Sequence, residues 1–360
     1  MLRLQNILLT QFKNYRQAAF RFDERITGIC GKNGIGKTNL LDAIYYLCFT
    51  KSYFSRNDGQ NVSTGMQGFR LQGELLQSPT AYQVTCILRE TGKKEFLVNQ
   101  EAYTKFSHHI GRFPAVIIAP DDVHIITEGG EQRRAFLDAL ISQLDPAYLS
   151  DLISYNKILQ QRNSLLKSFA ELKRIDESLL EVLNEQLSKP ASAIFEKRKT
   201  FLTDFIPLVQ HFYKLISGED YQVAVIYQSQ LLHAGMETLL HEFRDKDFVL
   251  QRTNAGIHKD DLEIQLNGQL FKTMASQGQR KSLLFALKLA EFETLKVSKG
   301  FSPLLLLDDV FEKLDEGRMH NLLVWVCREN DGQIFITDTH CERLKAHVQK
   351  VSEKYQLIEL

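Results

Sequence analysis

Eight consecutive residues, Gly31-Lys32-Asn33-Gly34-Ile35-Gly36-Lys37-Thr38, have the types and spacing to hold a chain of phosphates. Glycines let successive backbone N–H groups turn inward around phosphate oxygens at a helix N-terminus. In the pattern Gly-x4-Gly-Lys-Thr the lysine meets the β- and γ-phosphates as a point charge, and the threonine hydroxyl ligates Mg²⁺. The expected cofactors are ATP and Mg²⁺, held by Gly31, Lys32, Asn33, Gly34, Ile35, Gly36, Lys37 and Thr38, with Asn39 beside them. A second element is the apolar run Leu304–Leu307, ending in Asp308-Asp309. A buried strand ending in a carboxylate can hold Mg²⁺ through water beside the threonine, so Asp308 joins Thr38 as a metal candidate. Asp309 would sit nearer the γ-phosphate and polarise the attacking water, with Lys37 as the other catalytic candidate. A third element is Ser276-Gln277-Gly278-Gln279 at the head of a helix. A serine hydroxyl, a glycine backbone and a helix N-terminus make another phosphate-binding end.

Elements must bring these three together. Ile26 and Ile29 carry a strand into the glycine loop, and Leu40, Leu41, Ile44 and Leu47 recur at helical spacing after it. Short strands follow at residues 82–88, 95–98 and 115–119, the last stopped by Pro120. Between residues 130 and 215 the apolar beat turns helical, and breaks are expected at Asp145-Pro146 and Lys189-Pro190. A strand at 221–227 and a helix around 229–245 come next. A helix at 278–297, the strand Leu304–Leu307, a helix at 316–329 and a strand at 333–337 close the pattern. The fold class is α/β, one unit split by a largely helical insertion.

Bulk properties narrow the class of protein. At 360 residues the chain can bury two or three cores. No apolar stretch approaches the roughly 20 residues of a membrane span, and the N-terminus has no signal-peptide pattern, so a cytoplasmic protein is expected. The five cysteines, at 30, 48, 86, 327 and 341, show no metal-ligand spacing and read as reduced, buried thiols. Net charge is zero, which argues against wholesale coating of nucleic acid but allows a local basic patch. Residues 1–70 carry ten Lys/Arg against four Asp/Glu, and residues 301–360 carry seven against eleven. Either the N-terminal segment offers a basic face to phosphate, or the two segments pack together and compensate.

With these motifs in place the sequence resembles the RecF family of bacterial recombination and gap-repair ATPases. The resemblance runs through Phe12-Lys13-Asn14-Tyr15-Arg16, Gly31 to Leu47, Lys51-Ser52-Tyr53, Ala119-Pro120-Asp121-Asp122 and Arg133 to Asp138. It continues through Ser276 to Arg280, Ala286 to Glu291, and Leu305 to Phe311 with Leu314-Asp315. It implies an ABC-type P-loop ATPase head with an inserted, largely helical second lobe and no long coiled coil. Residues 1–125 and 251–360 would form the head and 126–250 the lobe. It also implies DNA binding, and a homodimer on ATP in which Ser276, Gly278 and Gln279 reach the partner's γ-phosphate, with Asp315 at the interface. Slow, weak, DNA-dependent hydrolysis would reset the dimer. The family's partners are RecR and, in the same pathway, RecO and RecA, which is directed onto gapped DNA, with a link to the SOS response.

Some positions depart from the family pattern. Gly-Pro-His-Arg-Asp-Asp reads Gly256-Ile257-His258-Lys259-Asp260-Asp261 here, and Phe311-Glu312-Lys313-Leu314-Asp315 has Glu-Lys where Ser-Glu is usual. No Q-loop glutamine follows the 115–119 strand, leaving Asp121 or Asp122 in that place. His340 is the candidate for the switch histidine of ABC ATPases, although it lies two residues further from its strand than that role requires. His108-His109 has no further ligands for a metal, Phe12, Tyr15, Tyr45 and Tyr46 read as core, and Arg133-Arg134 could serve phosphate or packing. The alternative is an ABC-type subunit of a different DNA or transport machine. A transporter subunit would place its signature roughly 100 residues after the loop, whereas Lys37 and Ser276 are 239 residues apart. An appended nuclease domain has no room after Thr339, and a small-molecule kinase has no use for Ser276–Gln279.

Overall fold

The computed structural model describes residues 1–172, 176–219, 221–311 and 315–360, with the side chains of 170–172 left aside. Glu312, Lys313 and Leu314 therefore lie outside the described residues. The chain divides into two compact units. The first comprises residues 1–123, 211–220 and 276–360, and the second 124–210 and 221–275.

The first unit is built on a five-stranded parallel sheet. Its order is Gln356–Glu359, Ile26–Cys30, Ile334–Asp338, Leu304–Leu307, Ala115–Ile118. Four of these strands are buried at every residue, which is why they read as unbroken apolar runs. A six-stranded antiparallel sheet lies in the same unit, with Leu2–Phe12 between Tyr15–Arg21 and Phe69–Gln77, followed by Thr80–Leu88, Lys94–Val98 and Glu101–Ala102. Leu2, Leu4, Ile7, Leu9 and Phe12 face inward. The three-residue step from Leu4 to Ile7 coincides with a register shift between Leu4 and Asn6. Those side chains share one core with Leu40, Ile44 and Tyr46 of the helix Lys37–Phe49 and with Leu304, Leu306 and Phe335. Phe12, Tyr45 and Tyr46 are buried there, as their spacing suggested.

The second unit contains the helices Gly130–Leu144 and Pro146–Leu172, most of Glu177–Ser217, and a three-stranded antiparallel sheet. Asp145-Pro146 does separate two helices, with Pro146 at a first helical position where its missing N–H is harmless. Lys189-Pro190 does not. Helix Glu177–Ser217 runs through both Pro190 and Pro207. An internal proline costs about 3 kcal/mol. Leu180, Leu183, Leu187, Ala191 and Ile194 bury one continuous stripe across Pro190, and each large apolar side chain returns about 1.5–3 kcal/mol. Packing wins. The sheet pairs Asp261–Leu266 with Val223–Gln228 and with Gln269–Leu270, so residues 251–275 fall in the second unit instead of with the head.

The cysteine expectation also needs correction. Cys48, Cys86 and Cys327 are buried thiols, but Cys30 and Cys341 form a disulfide with Cα atoms 5.2 Å apart. Ile26–Cys30 and Ile334–Asp338 are adjacent parallel strands, so positions 311 apart in sequence meet at one sheet end. Among the described residues, no helix is long and apolar enough to cross a membrane.

Candidate functional site

The glycine loop leaves strand Ile26–Cys30 and enters helix Lys37–Phe49 at the carboxyl edge of the parallel sheet. Gly36 has φ +125°, and a Cβ there would come within 2.6 Å of Asn14 Nδ2 and 2.8 Å of the Tyr15 hydroxyl. Glycine is required on both counts. Asn14 and Tyr15 hold the loop from outside. Asn14 Nδ2 donates to the Ile35 carbonyl at 2.6 Å and Tyr15 OH to the Gly36 carbonyl at 3.1 Å, while Asn39 Nδ2 donates to Asn14 Oδ1 at 2.7 Å. The reading of Tyr15 as simple core missed this clamp, although Asn14-Tyr15 was already among the motif residues. Lys32, Asn33, Gly34 and Ile35 are exposed, so the backbone at the loop's crest is open to solvent.

Lys37 is buried, and its Nζ donates to the carbonyls of Gly31 (2.9 Å) and Lys32 (3.2 Å). Thr38 Oγ1 lies 3.0 and 2.9 Å from the two carboxylate oxygens of Asp308, and Thr337 Oγ1 donates to Asp308 Oδ1 at 2.8 Å. The fold thus joins the loop threonine to the acid at the end of Leu304–Leu307. Burial pushes the Asp308 carboxyl up to about 6, with the two hydroxyls pulling down and Asp309 adding to the rise. A buried carboxylate and a hydroxyl, both hard oxygen donors, are the groups a divalent cation such as Mg²⁺ takes. Asp309 has φ +44°, its N–H donates to Thr337 Oγ1 at 2.8 Å, and its side chain is partly exposed.

Ser276 caps the helix Gln277–Lys299. Its Oγ accepts from Gln279 N at 3.2 Å, and Gln279 Oε1 accepts from Ser276 N at 2.8 Å. Gly278 lies against the guanidinium of Arg318, which a Cβ there would displace. Arg318 in turn meets Asp315 Oδ2 at 3.3 Å, and Asp315 caps helix Glu316–Val324 by accepting from Arg318 N at 2.9 Å. Gly278 and Asp315 therefore meet at one arginine that no motif pointed to, while Ser276 and Gln279 close the helix cap beside Gly278.

The remaining candidates lie as follows. Asp338 ends its strand beside the loop, where its carbonyl accepts from Gly31 N at 3.3 Å and its carboxylate is held by Arg343. His340 is exposed two residues on, with Nδ1 2.7 Å from Thr339 Oγ1. Asp121 is exposed. Asp122 is buried, accepts from Ala119 N at 2.8 Å and from the Tyr53 hydroxyl, and faces Lys288 at 3.8 Å. His109 is a core histidine, pushed down to about 4 by burial and bonded through Nε2 to the Leu47 carbonyl at 2.7 Å. Arg133 serves packing, forked onto Asp261 at 2.6 and 2.9 Å.

Comparison with known proteins places the chain in a family. The family of the RecF/RecN/SMC N terminal domain matches residues 3–357. The DNA replication and repair protein RecF of Flavobacterium johnsoniae is 45% identical over 359 residues, covering 100% of both chains. Its counterpart in Bacteroides thetaiotaomicron is 40% identical over 355 residues, covering 98% of this chain and 95% of its own. The solved structure of the recombination mediator protein RecF with ATP, from the RecFOR pathway, matches with a TM-score of 0.87 at 31% identity, covering 94% of this chain and 92% of that one. An Smc head domain from Pyrococcus furiosus shares the fold alone, with a TM-score of 0.57 at 14% identity over 100% and 93% of the two chains. With no long coiled coil among its described residues, the chain belongs to the RecF family of DNA replication and repair proteins, ABC-type ATPases of the RecF/RecN/SMC group.

Proposed function

We propose that this chain is an ATP-gated DNA-binding protein of recombinational gap repair, working in the cytoplasm at the nucleoid. The observation that carries the reading is the junction of Thr38 with Asp308 at 2.9–3.0 Å, directly behind the glycine loop. ATP would be held by the backbone of Gly31 to Gly36 and by Lys37, Thr38 and Asn39. Lys37 would exchange the carbonyls of Gly31 and Lys32 for phosphate oxygens. Mg²⁺, when bound, would neutralise phosphate charge, with Thr38 and Asp308 as the residues that hold it. Asp309 orients and deprotonates the attacking water, and His340 serves beside the γ-phosphate.

Ser276, Gly278 and Gln279 would reach ATP held by a second copy of the chain, with Asp315 at that interface. The meeting of Gly278 and Asp315 at Arg318 supports one shared contact surface. The dimer forms on ATP, engages DNA and, with RecR and RecO, directs RecA to gapped DNA. Weak DNA-dependent hydrolysis resets it. Light scattering of wild type and Lys37→Met with ATP and duplex DNA tests this. The wild type should dimerise only with ATP and the variant should not. A wild type that stays monomeric at high concentration, or binds DNA equally well without nucleotide, would sink the proposal.

A further inference from the structure

The motif Gly256–Asp261 has no part in the nucleotide site, and its members divide by burial. His258 is held between the Tyr155 hydroxyl at 2.7 Å and the Thr253 carbonyl at 3.1 Å, and Asp260 receives Arg198 at 2.8 Å and Tyr227 at 2.5 Å. Asp261 is taken by Arg133. Lys259 alone of the charged members is exposed.

The chain around Lys259 is braced from beneath. Asp247, fully buried, accepts from Arg162 Nη1 at 2.7 Å and from Asn254 N and Nδ2 at 2.8 and 2.9 Å. Arg252 N donates to the Asp247 carbonyl at 3.2 Å, and Asn163 Oδ1 accepts from both N and Oγ1 of Thr253 at 2.7 Å. Lys246 is exposed one residue before Asp247, and Arg252 is exposed one residue before the Thr253 that meets His258. Arg134 reaches the Asp260 carbonyl at 2.5 Å, next to Lys259.

Charge on this stretch is balanced by sequence and unbalanced at the surface. From 244 to 261, Arg244, Lys246, Arg252 and Lys259 stand against Asp245, Asp247, Asp260 and Asp261. Three of those carboxylates are consumed inside by Arg162, Arg198 and Arg133, and Arg244 pairs with Glu177 at 2.7 Å. Within 244–261, Lys246, Arg252 and Lys259 therefore face solvent against Asp245 alone, with Glu242 exposed just before that stretch. The Lys259 ammonium is held below the usual lysine range, first by burial, then by Arg252 and Arg134, with Asp247 opposing and Lys246 adding.

We propose that the turns carrying Lys246, Arg252 and Lys259 form a binding site for the phosphate backbone of duplex DNA. The inference rests on the DNA-binding reading above. Unmatched cations on a braced frame gain by replacing condensed counterions on a polyanion. Two lysines and one arginine acting on phosphates position a duplex without reading its bases.

The test is fluorescence anisotropy of a labelled duplex with the full chain, ATP and Mg²⁺ across a salt series. The triple variant Lys246→Ala/Arg252→Ala/Lys259→Ala should bind at least about tenfold more weakly, with the salt slope reduced by about 0.9 for each phosphate no longer neutralised. ATP affinity and melting temperature should be unchanged. Lys259→Glu, one exposed substitution, should weaken binding in the same direction, and Lys259→Arg should retain it. Wild-type affinity and slope in both the triple variant and Lys259→Glu overturn the assignment and leave the DNA reading standing. A wild type that ignores the duplex in every nucleotide state overturns both.

Discussion

Two buried carboxylates, one in each unit, have opposite surroundings. Asp308 in the first unit is met by the hydroxyls of Thr38 and Thr337, neutral donors, with Asp309 next to it in the chain. Asp260 in the second unit is met by the Arg198 guanidinium and the Tyr227 hydroxyl. Burial holds the Asp260 carboxyl above its usual range, with Tyr227 and Arg198 pulling the other way. Arg198 also takes Asp138 at 2.7 Å and the Ile257 carbonyl at 3.0 Å, so that centre contains its own counter-charge. Asp308 has only hydroxyls as side-chain hydrogen-bond donors, and Lys37 lowers its pKa from a distance without pairing with it. A buried acid hydrogen-bonded only by hydroxyls is suited to a cation from outside, whereas one paired with a guanidinium is part of the scaffold.

The largest effect expected from this contrast is at Arg198. Arg198→Ala leaves Asp138 and Asp260 without their cation, and breaking a buried pair from one side costs about 3–5 kcal/mol. Urea denaturation should show that loss. A change under about 1 kcal/mol would mean the centre behaves like an exposed ion pair.

At Asp308 the sign reverses. Its folded-state value of about 6 lies above the ordinary 3.8, so the folded state holds the proton more tightly than the unfolded chain. Below pH 3.8 the acid is neutral in both states and costs nothing. The cost grows as pH rises from there through about 6, and above that it is fully present, at roughly 2–3 kcal/mol. Asp308→Asn should therefore stabilise the metal-free protein at pH 7.5 and lose that advantage at low pH, while abolishing Mg²⁺-dependent ATP binding. Equal stability of variant and wild type at both pH values would remove the distinction between the two acids.

The smallest effect is at Tyr227. Tyr227→Phe removes one neutral donor from Asp260 while Arg198 remains, so about 1 kcal/mol should be lost. Nucleotide affinity, measured by titration calorimetry, should not change. A loss as large as that of Arg198→Ala would show that the hydroxyl holds the acid as strongly as the guanidinium does.

The chemistry of the glycine loop was legible because it is written in consecutive residues: three glycines, a lysine and a threonine between a strand pattern and a helix pattern. The parallel strands were legible too, since strands buried on both faces leave continuous apolar runs such as Leu304–Leu307. What escaped were pairings between distant segments. Asn14 and Tyr15 reach Ile35 and Gly36 only because the loop is laid beside the first hairpin. Arg318 reaches Gly278 across 40 positions of sequence. The helix through Pro190 defied a local rule because a long buried stripe outweighs one missing hydrogen bond.

By itself, then, the sequence determined which residues can cradle phosphate, which strand ends in acids and which helix begins with Ser276, because covalent order and local periodicity carry that information. The tertiary structure decided that Thr38 shares a hydrogen bond with an acid 270 positions away, that Cys30 meets Cys341, and that residues 251–275 join the second unit by pairing with Val223–Gln228. Those outcomes depend on which strands become neighbours. That choice is made by burial summed over the whole core, and no short window of sequence contains it.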